Sequence, residues 1–162
     1  MEETLRTIDA VRYGLVSELV RKFGEARVRV TGSSMLPHLL PRDIVTVQRR
    51  ECRDFRKGDI ALFSRRERLF AHRVLATNDE GAPYLVTRGD SVSEDDPPVF
   101  PHEILGCVMS IVRGDSRITP SRPTFLSRAI SALFRESQIL TTVLLWLLNR
   151  SRRREEEAQC RA

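Results

Sequence analysis

Short apolar runs separated by turn residues fill the middle of the chain and restrict the folds that it can adopt. Six of these runs have the length and the alternation of β-strands. They lie at residues 27–31, 43–48, 59–63, 69–76, 84–87 and 104–112. Turn signals such as Lys57-Gly58-Asp59 and Asp96-Pro97-Pro98 stand between them. This spacing predicts a mainly β, α+β fold organised as an irregular β-barrel or sandwich.

Residues 1–24 predict an N-terminal amphipathic helix that ends at Gly24. Its apolar residues recur at three- and four-residue steps. They are Leu5, Ile8, Val11, Leu15, Leu19 and Phe23. Such a helix is either a lid on the core of the protein or a helix that lies on a membrane surface.

Three segments follow the predicted β domain, which covers residues 25–115. Residues 116–123 are polar, contain proline and predict a linker. Residues 124–150 predict C-terminal helices, and residues 151–162 a charged tail. Within the helical segment, the apolar run at 139–148 has about half the length that spans a bilayer. The segment is therefore either a helical hairpin that packs on the β domain or a membrane-associating segment.

The charge balance of the chain limits the kinds of partner that it can bind. Of its 162 residues, 27 are Lys or Arg and 22 are Asp or Glu, which gives a net charge of +5. That charge suits nucleic acid or an anionic membrane surface. Aromatic residues make up only 6% and are not interleaved with a basic stripe, so no nucleic-acid partner is expected. The three cysteines are widely spaced and form no metal pattern, so neither a metal nor another cofactor is expected.

A serine between two predicted strands has the setting of a nucleophile. It is Ser34, in the stretch Gly32-Ser33-Ser34-Met35-Leu36-Pro37. Glycine frees the backbone and proline stiffens the turn that follows, so the hydroxyl is presented outward. The backbone N–H of the same serine would face a developing oxyanion. The alternative is a serine-rich β-turn without chemistry.

A serine nucleophile needs a base that is neutral near pH 7, and the chain offers few. Its only lysines, Lys22 and Lys57, lie in the predicted helix and in a turn, where neither is aimed inward from a core. His38 follows the serine in the same loop, on its expected exposed side, and His102 lies in another loop. His72 is the one histidine in a core-like strand that is also remote enough to cross over to Ser34.

A histidine base in turn needs a carboxylate that orients it. Two sources lie downstream of the His72 strand. One is Asp90, in Thr87-Arg88-Gly89-Asp90, and the other is the run Glu94-Asp95-Asp96. The residue types alone leave both open.

Five short motifs in family order make the chain resemble the type I signal peptidases and the serine-peptidase clan that they share with LexA-like repressors. The serine followed by Met-x-Pro resembles the nucleophile box of that family. Further resemblances are the Asp43 turn, the strand entry at 57–63, the stretch from Thr87 to Asp96, and Ile104-Leu105-Gly106. Together they cover roughly residues 27–112. The resemblance implies a signal-peptidase-like β fold.

The resemblance also implies roles for individual residues. Ser34 is the nucleophile and His72 the base, because His72-Arg73-Val74 stands where the bacterial branch has lysine, as in the archaeal and endoplasmic-reticulum branch. Asp96 is the implied acid, with Asp90 as its competitor or as a supporting residue. The oxyanion hole would contain the Ser34 N–H. Some relatives add a serine hydroxyl at the position of Gly32, and Ser33 is the candidate to replace it.

The function implied by the resemblance is that of a serine endopeptidase that cleaves an extended peptide or pre-protein after small residues. It implies membrane association, for which the chain offers residues 124–154, with a cytoplasmic location as the alternative. A second hypothesis is a catalytically inactive clan member that binds peptides or proteins. A LexA-like self-cleaving regulator is disfavoured, because about 25 residues before the first strand are too few for a DNA-binding three-helix module.

Overall fold

The computed structural model describes residues 2–120, with side chains from residue 9 onward. In this part of the chain it contains one α-helix, seven strands and a short 3₁₀ turn at Cys52–Asp54. The helix is α1 (Glu2–Phe23), and the strands are β1 (Glu25–Arg29), β2 (Ile44–Gln48), β3 (Ile60–Arg65), β4 (Arg68–Asn78), β5 (Tyr84–Arg88), β6 (Ile104–Arg113) and β7 (Ser116–Ile118). All six predicted strands are confirmed, with ends that differ by at most two residues.

The strands form one antiparallel sheet with the order β1-β2-β6-β3-β4-β5, and β7 pairs with β6. The predicted mainly β, α+β class is therefore confirmed. The closed barrel is not found. Within the described residues, the two end strands β1 and β5 each pair with a single neighbour and not with each other, so the sheet stays open.

The core lies on both faces of this sheet, because the central strand β3 is buried on both. Ile60 and Leu62 belong to a cluster beneath α1, whereas Ala61 and Phe63 belong to a second cluster on the opposite face. This division follows from the two-residue alternation of side chains along a strand. It also explains why β3 has a continuous apolar run rather than an alternating one.

α1 covers one face of the sheet, but not with the stripe that the sequence favours. Val16 and Val20 are its residues in the core cluster. The predicted stripe instead faces solvent, with exposures between 41% and 66%, at Val11, Leu15, Leu19 and Phe23. The helix ends as predicted. Gly24 has φ = 77°, and its N–H donates to the Val20 carbonyl at 3.0 Å.

Several predictions concern residues outside the described part. The C-terminal helices at 124–150, the tail at 151–162 and the membrane-associating segment all lie there, and so does the last part of the linker. Residues 116–118 belong to the predicted linker, yet they form β7. No helix within residues 2–120 is long and apolar enough to cross a bilayer.

Gly106 packs directly against the backbone of Gln48 at the end of β2, and we expect Gly106→Ala to destabilise the protein. A Cβ atom at this position would lie 2.3 Å from the Gln48 carbonyl oxygen, which is backbone and cannot rotate away. The expected loss is about 1–3 kcal/mol in the free energy of unfolding, measured in urea. Gly14→Ala is the matched control. Nothing lies within 4 Å of its Cβ position, and alanine should stabilise that helical site by about 0.5–1 kcal/mol. Equal effects of the two changes would contradict this account of Gly106.

Candidate active site

Ser34 lies in the loop between β1 and β2, and backbone hydrogen bonds close that loop at its base. The Val30 N–H donates to the Asp43 carbonyl at 2.8 Å, and the Arg42 N–H donates to the Val30 carbonyl at 2.7 Å. Leu36 and Leu39 are completely buried and anchor the turn that follows the serine. The loop is therefore held at both ends and from beneath, and Ser34 sits at a defined position.

An ion pair between a buried carboxylate and a partly exposed arginine ties the same loop to β6. Asp43 is 3% exposed, and its carboxylate accepts two hydrogen bonds from the Arg113 guanidinium, at 3.0 and 2.8 Å. Arg113 also donates to the His38 carbonyl at 3.0 Å, and the Leu40 N–H donates to Asp43 Oδ2 at 2.8 Å. Asp43 thus holds the loop that carries Ser34 against β6.

The segment after β5 closes around the serine from the other side. The Ser91 N–H donates to the Ser34 carbonyl, and the Ser91 hydroxyl donates to the Ser33 carbonyl, both at 2.9 Å. Gly89 is required for this approach, because a Cβ atom there would lie 2.6 Å from the Ser34 carbonyl oxygen. This contact explains in physical terms why a glycine precedes Asp90.

Three side chains from three separate segments meet in a hydrogen-bonded series. Ser34 Oγ lies 2.9 Å from His72 Nε2, and His72 Nδ1 lies 2.6 Å from Asp96 Oδ2. His72 is 6% exposed, and the rings of Phe63 and Phe70 each face its ring edge to face at a centroid distance of 5.9 Å. The histidine selected from the sequence therefore does cross over to the serine, and the surrounding aromatic rings hold its orientation.

Asp96 is the carboxylate that reaches the histidine. It also accepts a hydrogen bond from the Thr87 hydroxyl at 2.7 Å, and its N–H donates to the Thr87 carbonyl at 2.8 Å. Burial raises the pKa of Asp96, but the hydrogen bonds from His72 and Thr87 outweigh burial and leave that pKa below its ordinary value. Because an ionised carboxylate can only accept, the Nδ1–H of His72 donates to Asp96, and in the neutral imidazole Nε2 is then the acceptor for the Ser34 hydroxyl.

The loop that carries Asp96 is fixed from outside the site. Arg65 donates to the Pro98 carbonyl at 3.0 Å and pairs with Glu103 at 2.8 Å. Leu85 and Val99 bond to each other through both backbone N–H groups, each at 2.9 Å. These contacts lie just beyond Asp96 in the chain and determine how far its carboxylate reaches toward the sheet.

Asp90, the competing carboxylate, has different partners. It accepts two hydrogen bonds from Arg73, both at 2.7 Å, and its Oδ2 lies 2.8 Å from His38 Nδ1. Arg73 also donates to the Gly58 carbonyl at 2.9 Å. Burial raises the pKa of Asp90, but Arg73 and His38 outweigh it and hold that pKa below its ordinary value. His38, expected on the exposed side of its loop, is instead half-buried against this pair.

The groups that could bind an oxyanion have no partner within the described residues. The Ser34 N–H donates no hydrogen bond there, and the Ser33 hydroxyl makes none. Open space surrounds the Cβ position of Gly32, with no atom of the described residues within 4 Å. The Ser34 N–H is therefore free to bind a substrate oxygen, which is the contribution expected of a nucleophile's own amide.

A cleft of about 350 Å³ leads away from Ser34 between two stretches of backbone. One wall is the chain from Val28 to Ser34, and the other is the beginning of β4. β5 pairs with β4 only from Arg73 onward, so the edge of β4 at 68–72 that faces away from β3 pairs with no strand in the described part. The cleft thus offers unpaired β-strand backbone beside the serine.

The described cysteines do not compete with Ser34 as nucleophiles. Cys52 and Cys107 are both buried thiols. Burial raises the pKa of Cys107 to about 11 and also raises that of Cys52, so both stay protonated near neutral pH. Among the described residues, no group of three or more His, Cys, Asp or Glu side chains could hold a metal ion.

Three contributors to the site were not predicted from the sequence. Thr87 is a second partner of Asp96, Arg73 neutralises Asp90, and His38 borders that pair. The signals for Thr87 were its place at the start of the motif that runs to Asp96 and its alternating inward-facing position in β5, but neither indicated its bond to Asp96. Arg73 stands in the motif His72-Arg73-Val74, but nothing in the sequence indicated that it pairs with Asp90, because a buried arginine cannot be distinguished from a surface one until its partner is known.

The arrangement has the geometry of a serine, histidine and aspartate site, in which a carboxylate orients an imidazole that can accept a proton from a hydroxyl. No family model, curated protein or solved structure matches the chain.

Proposed function

We propose that this protein is a serine endopeptidase of the signal-peptidase type. The observation that carries the proposal is the hydrogen-bonded series from Ser34 through His72 to Asp96, with distances of 2.9 and 2.6 Å. Nucleophile, base and orienting acid come from a loop, a strand and a second loop. Such a convergence is needed for nucleophilic catalysis and has no evident structural purpose of its own.

The chemistry follows from the direction of the two hydrogen bonds. Ser34 Oγ forms a bond to the carbonyl carbon of the substrate while its proton passes to His72 Nε2, and the carbonyl oxygen becomes an oxyanion next to the Ser34 N–H. The C–N bond then breaks, and the leaving amine takes the proton from His72. A water molecule hydrolyses the resulting serine ester by the same route, with its proton accepted by His72.

The cleft supports a substrate in extended conformation. A peptide can pair with the open edge of β4, and main-chain hydrogen bonds of this kind leave selectivity to the side chains beside the scissile bond. Buried core residues, among them Met35, Leu39 and Leu62, form the floor of the cleft. A filled floor gives shallow subsites, which favours small residues at the cleavage position of a peptide or pre-protein.

A fluorophosphonate probe tests whether Ser34 is an activated nucleophile. We expect the folded full-length chain to be labelled on Ser34, and the label to be located by mass spectrometry after digestion. Ser93→Ala should still be labelled, because this exposed serine makes no hydrogen bond to the histidine base. Ser34→Ala and His72→Ala should not be labelled.

The same experiment separates the peptidase from an inactive binding module. A correctly folded chain that takes up no probe at Ser34 would support the inactive clan member that binds peptides or proteins. Equal labelling of Ser34→Ala and the unaltered protein would also contradict the proposal, because the reactive hydroxyl would then lie elsewhere.

A further inference from the structure

The end of the cleft away from Ser34 is unusually rich in positive charge. Four charged residues line it, and three of them are arginines: Arg12, Arg29 and Arg68, against the single acidic residue Asp9. None of them takes part in the series of Ser34, His72 and Asp96. We call these four residues the rim of the cleft. Their excess of positive charge beside an apolar floor needs a different explanation.

The arginines at this rim are only weakly satisfied by the protein. Arg68 is 68% exposed, and its one ion pair, with Asp9, is long at 3.7 Å. Pairs of this kind in solvent contribute little. Arg12 donates to the Arg29 backbone carbonyl at 2.9 Å, so that contact leaves its charge unneutralised. The Arg29 guanidinium makes no hydrogen bond or ion pair with any side chain described from residue 9 onward.

β4 sets the distance between this rim and the reacting serine. Arg68 and His72 lie four residues apart on the same strand, which corresponds to about 13 Å. A peptide that runs along the open edge of β4 has nearly the same rise per residue. Its residue about four positions from the scissile bond therefore lies level with Arg68.

We propose that the cleft selects an extended peptide with an aspartate or glutamate about four residues from the scissile bond, on one side of it. This inference rests on the proposed peptidase function for the location of the bond. Carboxylates match the rim because the guanidinium fork binds them through two parallel hydrogen bonds. With three cations against one anion, the rim also repels a lysine or arginine at the same place in the peptide.

Binding to the full-length Ser34→Ala variant tests the rim without any need for cleavage. The test uses two pairs of fluorescent peptides, all with an alanine at the cleavage position. Within each pair, one peptide has Glu and the other has Gln four residues from that alanine. This variable position precedes the alanine in one pair and follows it in the other. Fluorescence anisotropy should show about fivefold tighter binding of Glu than Gln in one pair. The preference should vanish at high salt, because the charges are solvent-exposed.

Charge reversal gives the sharper arm of the same experiment. Arg29→Glu combined with Arg68→Glu should invert the order, so that a lysine peptide binds more tightly than the glutamate peptide. Arg53→Glu is the matched control, since this exposed residue does not line the cleft, and it should leave the preference for Glu unchanged. Binding that is equal for Glu and Gln in both pairs, or absent, would overturn the inference.

The two proposals fail in distinguishable ways. Charge-dependent binding to Ser34→Ala, together with an unaltered protein that cleaves none of the peptides, would contradict the peptidase and leave an acidic-peptide cleft. Cleavage after alanine with no dependence on the charged position would keep the peptidase and contradict the selectivity of the rim.

Discussion

Ser34→Ala is expected to abolish peptide cleavage, with a fall in kcat on the order of 10⁴- to 10⁶-fold and an unchanged fold. The reason is that no other described hydroxyl lies within hydrogen-bond distance of His72 Nε2. His72→Ala should lower kcat by a similar factor, because the hydroxyl then has no acceptor for its proton. The measurement is the turnover of a peptide with small residues at its centre, followed by mass spectrometry.

The double variant tests whether the two residues act as a unit. If they do, removing both should cost about as much as removing either one, rather than the product of the two factors. Ser93→Ala is the matched control and should retain most of the activity, because this serine is exposed and His72 Nε2 bonds to Ser34 instead. Turnover by Ser34→Ala at the rate of the unaltered protein would remove Ser34 from the mechanism. Multiplicative losses would mean that serine and histidine act separately.

Asp90→Ala is expected to cause the largest loss of stability, about 3–5 kcal/mol in the free energy of unfolding. Asp90 and Arg73 are almost fully buried, with side chains 9% and 5% exposed, and they share two short hydrogen bonds. Truncation of Asp90 leaves the Arg73 guanidinium buried with only the Gly58 carbonyl as a partner. Urea denaturation followed by circular dichroism measures the effect.

Asp95→Ala is the matched control for Asp90→Ala. Asp95 also pairs with an arginine, at 3.1 Å, but its side chain is 52% exposed, so its removal should change stability by less than about 0.5 kcal/mol. Arg73→Met combined with Asp90→Leu should recover much of the loss, since an apolar pair leaves no buried charge. Equal effects of Asp90→Ala and Asp95→Ala would show that the buried pair contributes no more than a surface one.

The pH dependence of this stability has a definite sign. The pKa of Asp90 in the folded protein lies below its ordinary value, which for the unfolded chain is about 3.9. Its contribution is therefore complete above that value and is lost as the pH falls through the lower folded pKa. The stability difference between the unaltered protein and Asp90→Ala should narrow below about pH 4. A difference that stays constant down to pH 2 would contradict the ionised pair.

The strands were predictable because burial leaves a pattern in the sequence. A strand that is buried on one face alternates apolar and polar residues, and a strand that is buried on both faces is apolar throughout. β7 was not, since its three residues are exposed and pair with β6 through backbone bonds alone. The prediction of which face of α1 is buried was also wrong. Counting apolar positions favoured the stripe through Leu15 and Leu19, but the sheet accommodates the smaller Val16 and Val20. Which face of a helix packs depends on the shape of the surface that receives it.

What residue types alone determined was a short set of candidates: a serine in a glycine–proline turn, and one strand histidine in a chain with almost no lysine. They left Asp90 and the run Glu94-Asp95-Asp96 open, and only the resemblance favoured Asp96. The tertiary structure gives the physical reason for the difference between Asp90 and Asp96. Arg73 neutralises Asp90 in the interior, while the contacts of Arg65 and Val99 direct the next loop so that Asp96 reaches the imidazole. The sequence shows which chemical groups are present and in which local turns they stand. The distance between two loops depends on the packing of all the elements between them, and only the tertiary structure gives it.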